Sequence, residues 1–468
     1  MTPRVAAWTL TALFAVAVAA SVYRIPIQVS DSLEILEQVD ALPSAPAAFM
    51  MGLHSSTTML RPTRQVQTKL LLDLAHATGD RYNAVFRGYH ALGAAALILL
   101  FGALAGPRTW IEVAALAFAL TVLTGLHTFA GMMREAYPVN HFLLVALACL
   151  VALALARSRG GVVVDVLAVL CLAVAALTLE SGLLVWVIAV TGYMAGLRGI
   201  SRPALIVMTV VVIGYVILRV GYLDMHGNAL GERQTGYGTR MLSSAEQQRE
   251  FGDNPLPLYA YTVLGSVLTV PFSQPVVGQW TVVRAWQEGS LVRAYAIEIA
   301  TSVAATALIA WFLFGRSRPG GPRRYREPVP LVMLAVLAAS AVLSYSYAKS
   351  EIMSAAGVLY ALTAYLAAAE ALRVLSRQRL DLFARAALAA IVVVSGGWGF
   401  RALGLQYKLQ RAAYTSRNEW ILRMPPFNPA PAGATLRLAP RLLEEALQRG
   451  RTSPFLDSRR APVYWGEE

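Results

Sequence analysis

A chain of 468 residues that is 57% hydrophobic and only 14% charged, with a mean hydropathy of +0.54, cannot hide that much apolar surface in one water-soluble interior, so a bilayer must take up the excess. The formal charge of +13 does not point to nucleic acid: the arginines are spread over short connections between apolar segments and do not interleave with aromatics on one module, a pattern that membrane topology accounts for better. The two cysteines, Cys149 and Cys171, both lie inside apolar runs, so they carry no disulfide or metal-thiolate pattern and read as packing residues.

In chain order, the first apolar run, Val5 to Tyr23 after Arg4, is longer than the roughly 7–15 residues of an ordinary signal core and reads as an uncleaved first span. Further apolar runs at 86–105, 110–130, 141–156, 162–179, 182–197, 204–222, 291–314, 328–347, 353–374 and 382–400 bring the expectation to about eleven transmembrane helices in an all-α polytopic protein. The short connections at Arg108, at Arg157 and Arg159, at Arg198 and Arg202, and at 315–327 and 373–385 are basic. Counting from a cytoplasmic amino terminus puts all of them on one side, as the positive-inside rule requires for a multi-pass protein of the plasma (inner) membrane. The segment 258–272 is apolar but short, and counting it as a span would invert everything after it. It is therefore expected as an interfacial or re-entrant helix on the outer side. That topology divides the chain into a multi-span domain over 1–400, with outer loops at 24–85, 131–140 and 223–290, and a small outer-face tail at 401–468. In the tail, "PRLLEEALQRG" reads as a short amphipathic helix packing over the outer loops.

The outer loops hold the polar chemistry. Asp31 and Glu34 follow the first span within a few residues, where a carboxylate can meet a lipid-borne headgroup; the competing reading is a capping box on the helix that "SLEILEQVDAL" suggests. Arg61, Arg64 and Lys69 sit on a segment with helical apolar spacing at Val66, Leu70 and Leu74, as surface anchors or as a grip on phosphate. His127, Arg134, Glu135, Asn140 and His141 cluster in the second outer loop, in a spacing that matches no ordinary zinc pattern. Glu180 lies at the same level, as do Tyr345, Tyr347, Lys349 and Glu351, for which an aromatic belt with a snorkelling cation is the plainer reading.

Taken together, the early loop with Asp31 and Glu34, the "LRP" of residues 60–62, the acidic second loop with Glu135, and "YAYTVLGSVLTVPFSQP" resemble the GT-C superfamily of membrane glycosyltransferases, which use polyprenyl-phosphate sugars. The likeness of plan covers roughly residues 1–400; the D-x-x-E spacing departs from the adjacent acids of many members. The resemblance implies an inverting transfer of sugar from the lipid phosphate to an acceptor hydroxyl on the outer face. It gives Asp31 the role of base, and Glu34, Glu135, His141 and Glu180 support for acceptor or sugar. Arg61, Arg64, Tyr347 and Lys349 would hold the lipid phosphate. Some members use a divalent cation, which Asp31 and Glu135 could share. The implied partners are membrane lipid, the polyprenyl-phosphate sugar and an acceptor, with no nucleic acid.

Two other classes compete. O-antigen ligases and polymerases also combine many spans with a large outer loop, but rely mainly on arginines and a histidine. A transporter or lipid-binding scaffold would place ionisable groups near the midplane in repeated halves; Asp165 and Glu298 fall near span ends or in one outer half, and no matching halves are visible. No P-loop, dinucleotide fingerprint, EF-hand or H-E-x-x-H motif occurs in the chain.

Overall fold

The computed structural model describes residues 1–25, 33–54, 60–134, 139–222, 234–235, 241–252, 254–274, 278–290, 293–314, 328–345, 349–377 and 382–423, with Leu438, Arg441, Leu442 and Glu445. The described chain is helical apart from one two-residue antiparallel pairing, Gln234–Thr235 with Met241–Leu242. In order, the helices are α1 (Pro3–Arg24), α2 (Leu33–Asp40), α3 (Ala45–His54), α4 (Pro62–Ala77), α5 (Tyr82–Ala105), α6 (Trp110–Gly125), α7 (His127–Arg134), α8 (His141–Arg157) and α9 (Val162–Thr178). There follow α10 (Leu184–Met194), α11 (Arg202–Val216), α12 (Ser244–Phe251), α13 (Leu256–Thr269), α14 (Gly278–Gln287), α15 (Arg293–Phe314), α16 (Val329–Leu343), α17 (Ser354–Arg377) and α18 (Leu382–Arg423).

Among the described residues, six helical stretches are long and apolar enough to cross a bilayer: Pro3–Arg24, Tyr82–Ala105, Arg202–Arg219, Tyr295–Phe314, Ser350–Arg377 and Leu388–Gln410. A seventh arises if α6 and α7, bent by 63° at their junction, count as one broken span. Of the eleven runs expected, four form helices of 10–17 residues: His141–Arg157, Val162–Thr178, Glu180–Met194 and Val329–Leu343. At 1.5 Å per residue even 17 residues reach only about 26 Å, short of a roughly 30 Å hydrocarbon core. The last helix runs on past residue 400 to Arg423.

The centre of the bundle is α17, 89% of whose apolar window is buried against its neighbours. Its small residues make this possible: Gly357 approaches Thr128 so closely that a Cβ there would lie 2.2 Å from Thr128 Oγ1. By contrast, α1, α9, α11 and α18 expose rows of large apolar residues, among them Leu13, Val16, Val163, Leu170, Ile206, Val210 and Val393, as helices facing lipid do.

Polar contacts define two ends. At one, Arg157 Nη1 donates to Leu104 O at 3.1 Å, Arg373 bonds Glu112, Gly199 N donates to Ala156 O at 3.0 Å, and Asp165 accepts from Ser201 N at 2.9 Å and Ser201 Oγ at 2.6 Å. The basic turns at Arg108, Arg157 and Arg198 to Arg202, and the end of α17, thus share one end of the bundle. The basic stretch 315–327 lies outside the described residues.

The other end carries a second, smaller apolar cluster, in which Leu36 and Val39 of α2, Leu71 and Leu72 of α4, Tyr82 and Phe86 of α5, and Val139 pack with Leu438 and Leu442. Glu445 accepts from Asn83 N at 3.1 Å with both carboxylate oxygens, and Glu37 Oε1 accepts from Leu438 N at 2.8 Å. These bonds tie the described tail residues to α2 and to the start of α5.

The segment expected to be interfacial or re-entrant forms α13, then breaks. Tyr259 stacks edge-on against Tyr345 at 5.0 Å, and Thr262 bonds Tyr345 O, so α13 starts beside the end of α16. Its far end turns inside the bundle: Phe272 O accepts from Ser302 Oγ at 2.8 Å and Pro271 O from Thr306 Oγ1 at 2.9 Å. Ser302 is nine residues into α15, about 13 Å along its axis. Backbone without regular partners at that depth must be satisfied by neighbouring side chains. Ser302 and Thr306 satisfy two of these carbonyls; Arg401 of α18 satisfies a third, Ser273 O at 2.9 Å, and fastens the turn to α15 by donating to Ser302 Oγ at 2.8 Å, Thr301 Oγ1 at 2.8 Å and Glu298 O at 3.1 Å.

Candidate functional site

The candidate site begins with α4, which is built inside out. Leu70 and Leu74, which the sequence spacing marks as its apolar stripe, are exposed, whereas Arg64, Gln65, Thr68 and Lys69 are buried with Leu71, Leu72 and Ala75. A helix lying at a lipid surface gains by turning leucines outward and its polar face towards the protein. Neighbouring helices pin this orientation: Thr63 Oγ1 is 2.9 Å from Thr178 Oγ1, Gln67 Nε2 donates to Thr178 Oγ1 at 3.2 Å, and Tyr89 OH donates to Gln67 Oε1 at 3.1 Å.

Immediately before α4, Arg61 meets Glu180, the first residue of the tight turn Glu180–Leu183 that follows α9. Arg61 Nη2 donates to Glu180 Oε2 at 2.8 Å and Nε to the same oxygen at 3.2 Å. Arg219, in the π-helical turn Ile217–Tyr222 at the end of α11, lies 3.8 Å from the other oxygen, Oε1. One carboxylate therefore faces two guanidinium groups, and the corner keeps a net positive charge.

His141 opens α8 behind the Asn140 cap, whose Oδ1 accepts from Leu143 N at 3.0 Å and whose Nδ2 bonds Met132 O. The imidazole is buried, and the charges of Arg64, Arg61 and Lys349 all act on it. Lys349 Nζ lies 5.0 Å over the Phe142 ring, which in turn packs 4.5 Å from His141. The second loop folds onto the same corner: a Cβ on Gly131 of α7 would lie 2.8 Å from Glu351 Cγ, and Ser354 Oγ donates to Thr128 O at 3.3 Å.

Of the site residues read from the sequence, the structure thus brings Arg61, Arg64, His141, Glu180 and Lys349 to one end of the bundle. Asp31, Glu135 and Tyr347 lie outside the described residues, and so does the Glu34 side chain, although Glu34 falls on α2. Among the described residues no three His, Cys, Asp or Glu side chains converge as a metal site; the divalent-cation expectation rests on Asp31 and Glu135.

Sequence reasoning missed three further groups. Arg219 interrupts the apolar run of α11, and a guanidinium inside such a run is itself a signal of function. Arg87 and His90, both buried, lie one turn apart on α5, with Arg87 Nη1 donating to His90 Nδ1 at 3.0 Å. One turn further along the same side of α5, a Cβ on Gly93 would lie 3.1 Å from Leu143 Cδ2, so His90 sits level with the start of α8. Their i, i+3 spacing on the first turns of a span was the readable clue.

Chemically, buried or half-buried arginine, lysine and histidine gathered where helices meet the membrane surface suit an anionic group with several acceptor oxygens. No family model matches the chain, and no curated protein or solved structure matches it.

Proposed function

We propose that the protein is a multi-pass membrane glycosyltransferase that moves a sugar from a polyprenyl-phosphate donor to an acceptor hydroxyl, with inversion, at the loop-bearing end of the bundle. The observation that carries this reading is that Arg61, Arg64 and Lys349 share one end of the bundle with the buried His141, with Lys349 Nζ 5.0 Å over the Phe142 ring that packs on His141, beside the Arg61–Glu180–Arg219 cluster. Four apolar helices of the shorter class join the six long ones and the bent pair as crossings, giving eleven. The basic turns face the cytoplasm and the site faces outward, so the amino terminus is cytoplasmic.

In the reaction, the Asp31 carboxylate takes the proton of the acceptor hydroxyl as its oxygen bonds to the anomeric carbon. The bond from that carbon to the phosphate oxygen breaks on the opposite face, and the polyprenyl phosphate leaves with the electron pair. A phosphate is already a good leaving group, so positive charge does the work of an acid. Glu180 holds Arg61 in place, which assigns the phosphate grip mainly to Arg64 and Lys349, with His141 orienting sugar or acceptor.

One observation favours a second reading, an O-antigen ligase-like transfer: the described part of the site includes several arginines and a buried histidine beside Glu180 and Lys349, and arginines and a histidine are the groups on which such enzymes rely. Transfer assays on membranes supplied with polyprenyl-linked sugars separate the two. The first expects Asp31→Asn to cut transfer about a thousandfold, whereas the second expects that variant to stay active and His141→Ala to fail. Unchanged product from both variants would remove both readings.

A further inference from the structure

The opposite, basic end of the bundle holds a cleft that the proposed reaction does not use. It has a volume of about 300 Å3 and lies between the start of α1 and the end of α5, lined by Arg4, Trp8, Thr11, Gly102, Gly106 and Arg108 among others. Its floor is the closest approach of the two helices: a Cβ on Gly102 would lie 2.5 Å from Thr11 Cγ2, so only glycine permits the contact. Beyond that point α5 ends in a turn, where Gly106 adopts a left-handed φ of 54° and its N–H caps Gly102 O at 3.0 Å.

We propose that this cleft binds the headgroup phosphate of an anionic glycerophospholipid, between the guanidinium groups of Arg4 and Arg108. The carboxylate beside the Arg108 backbone is already committed: Glu112 Oε2 accepts from Arg108 N at 2.6 Å and Thr109 N at 3.1 Å, while Oε1 bonds Arg373. Among the described residues, neither Arg4 nor Arg108 forms a side-chain ion pair. Two guanidinium groups at the mouth of a polar cleft match a phosphodiester, which needs several donors and no proton transfer. A lipid, rather than a free phosphate, is indicated by what adjoins the cleft. Along α1, Val5, Trp8, Leu13 and Val16 are 53%, 53%, 64% and 67% exposed, and Trp110 on the other rim is 55% exposed. Acyl chains can lie along that apolar strip while the indoles sit at headgroup level.

The test is native mass spectrometry of the whole protein released from nanodiscs made of phosphatidylcholine alone or of phosphatidylcholine with phosphatidylglycerol. Three variants accompany the wild type: Arg4→Gln with Arg108→Gln, Arg4→Lys with Arg108→Lys, and Ala103→Phe, which fills the cleft while leaving both charges. The expected result is one retained phosphatidylglycerol on the wild type and on the lysine pair, weakened about twentyfold in the glutamine pair and lost in Ala103→Phe. Glycerol phosphate should not displace it. Equal retention of phosphatidylglycerol by wild type, glutamine pair and Ala103→Phe, or equal retention of phosphatidylcholine, would overturn the proposal. Displacement by glycerol phosphate would overturn the lipid assignment and leave a soluble phosphate site. Because no residue of the loop end is altered, these outcomes are independent of the glycosyltransferase reading.

Discussion

Arg61 donates from both Nε and Nη2 to a single oxygen of Glu180, which leaves the other oxygen to face Arg219 at 3.8 Å. The side chains of Arg61 and Glu180 are 18% and 19% exposed, so either partner alone would carry a poorly solvated charge. Arg61→Met is expected to destabilise the protein by about 2 kcal/mol, somewhat below the usual cost of breaking a buried pair because Arg219 remains. Adding Glu180→Gln should restore most of it. Thermal unfolding of the two single variants and the double variant in mild detergent reads the coupling as a double-mutant cycle; additive losses would mean that the pair does not hold the corner together.

The turn that presents Glu180 depends on one glycine. A Cβ on Gly182 would lie 2.1 Å from Ala175 C and 2.2 Å from Ala175 O, both backbone atoms that cannot move aside. Gly182→Ala should push the turn off α9 and cost about 3 kcal/mol. The helical Gly214 has nothing within 4 Å of its would-be Cβ, and Gly214→Ala should be neutral or stabilising by up to about 1 kcal/mol. Unfolding midpoints of the two variants should move in opposite directions or differ by several degrees; similar midpoints would contradict the packing of the turn on α9.

Arg401 ends the α13 segment by satisfying Ser273 O and fastening the turn to α15. Replacing it by Met leaves Ser273 O without its donor and removes a bond each from Thr301, Ser302 and Glu298 O, a loss of about 3 kcal/mol. Hydrogen exchange over 270–274 should rise sharply in Arg401→Met while that of α17 stays low. Unchanged exchange at 270–274 would show that the turn holds itself.

A pH dependence follows from His76. Nε2 lies 2.6 Å from Asp40 Oδ1 and Nδ1 2.8 Å from Asp80 Oδ1, while Arg441 Nη1 donates to Asp80 Oδ2 at 2.7 Å. Partial burial opposes the charge on His76, but the hydrogen bonds to Asp40 and Asp80 and their charges outweigh it and raise its pKa. The bond from His76, with help from Tyr82 and Arg441, holds Asp80 below its ordinary value. The stabilisation from His76 is therefore complete below about pH 6.5 and is lost as pH rises through the elevated folded value; that from Asp80 is present above about pH 4 and is lost as pH falls through its lowered one. Limited proteolysis of the tail should be slowest near pH 5 to 6 and faster near pH 9, and His76→Gln should abolish the difference. A tail cut equally fast at both values in the wild type would show that the His76–Asp80–Arg441 contacts do not hold the tail.

How much of this was legible in the sequence differs from element to element. The membrane class and the basic end were readable because hydropathy and arginine placement are local properties: the turns at Arg108, Arg157 and Arg198 do share one end. That 258–272 is not an ordinary span was inferred from its short apolar run and from the placement of the basic turns; the turn after Thr269 and its partners on α15 were not foreseen. The orientation of α4 was not, because spacing shows that Leu70 and Leu74 share a side but not whether lipid or protein receives it. Arg401 was read as the start of a tail, since an arginine after an apolar run ordinarily marks the water boundary; its partners Ser273 and Thr301 are 128 and 100 residues away in the chain. Arg219 and the Arg87–His90 pair carried a local signal, ionisable groups within apolar runs, but Arg219's partner Glu180 lies in the turn after α9 and nothing local pointed to it.

The most direct test of the proposed site is the binding of radiolabelled polyprenyl phosphate to the purified protein, comparing wild type with Arg64→Gln, Lys349→Gln and the two combined. Each charge-assisted bond to phosphate contributes roughly 1.5–3 kcal/mol, so each single variant should weaken binding about tenfold or more and the double variant should bind at background, with unfolding midpoints unchanged. Undiminished binding of polyprenyl phosphate by the folded double variant would contradict the assignment of this corner as the lipid-phosphate site.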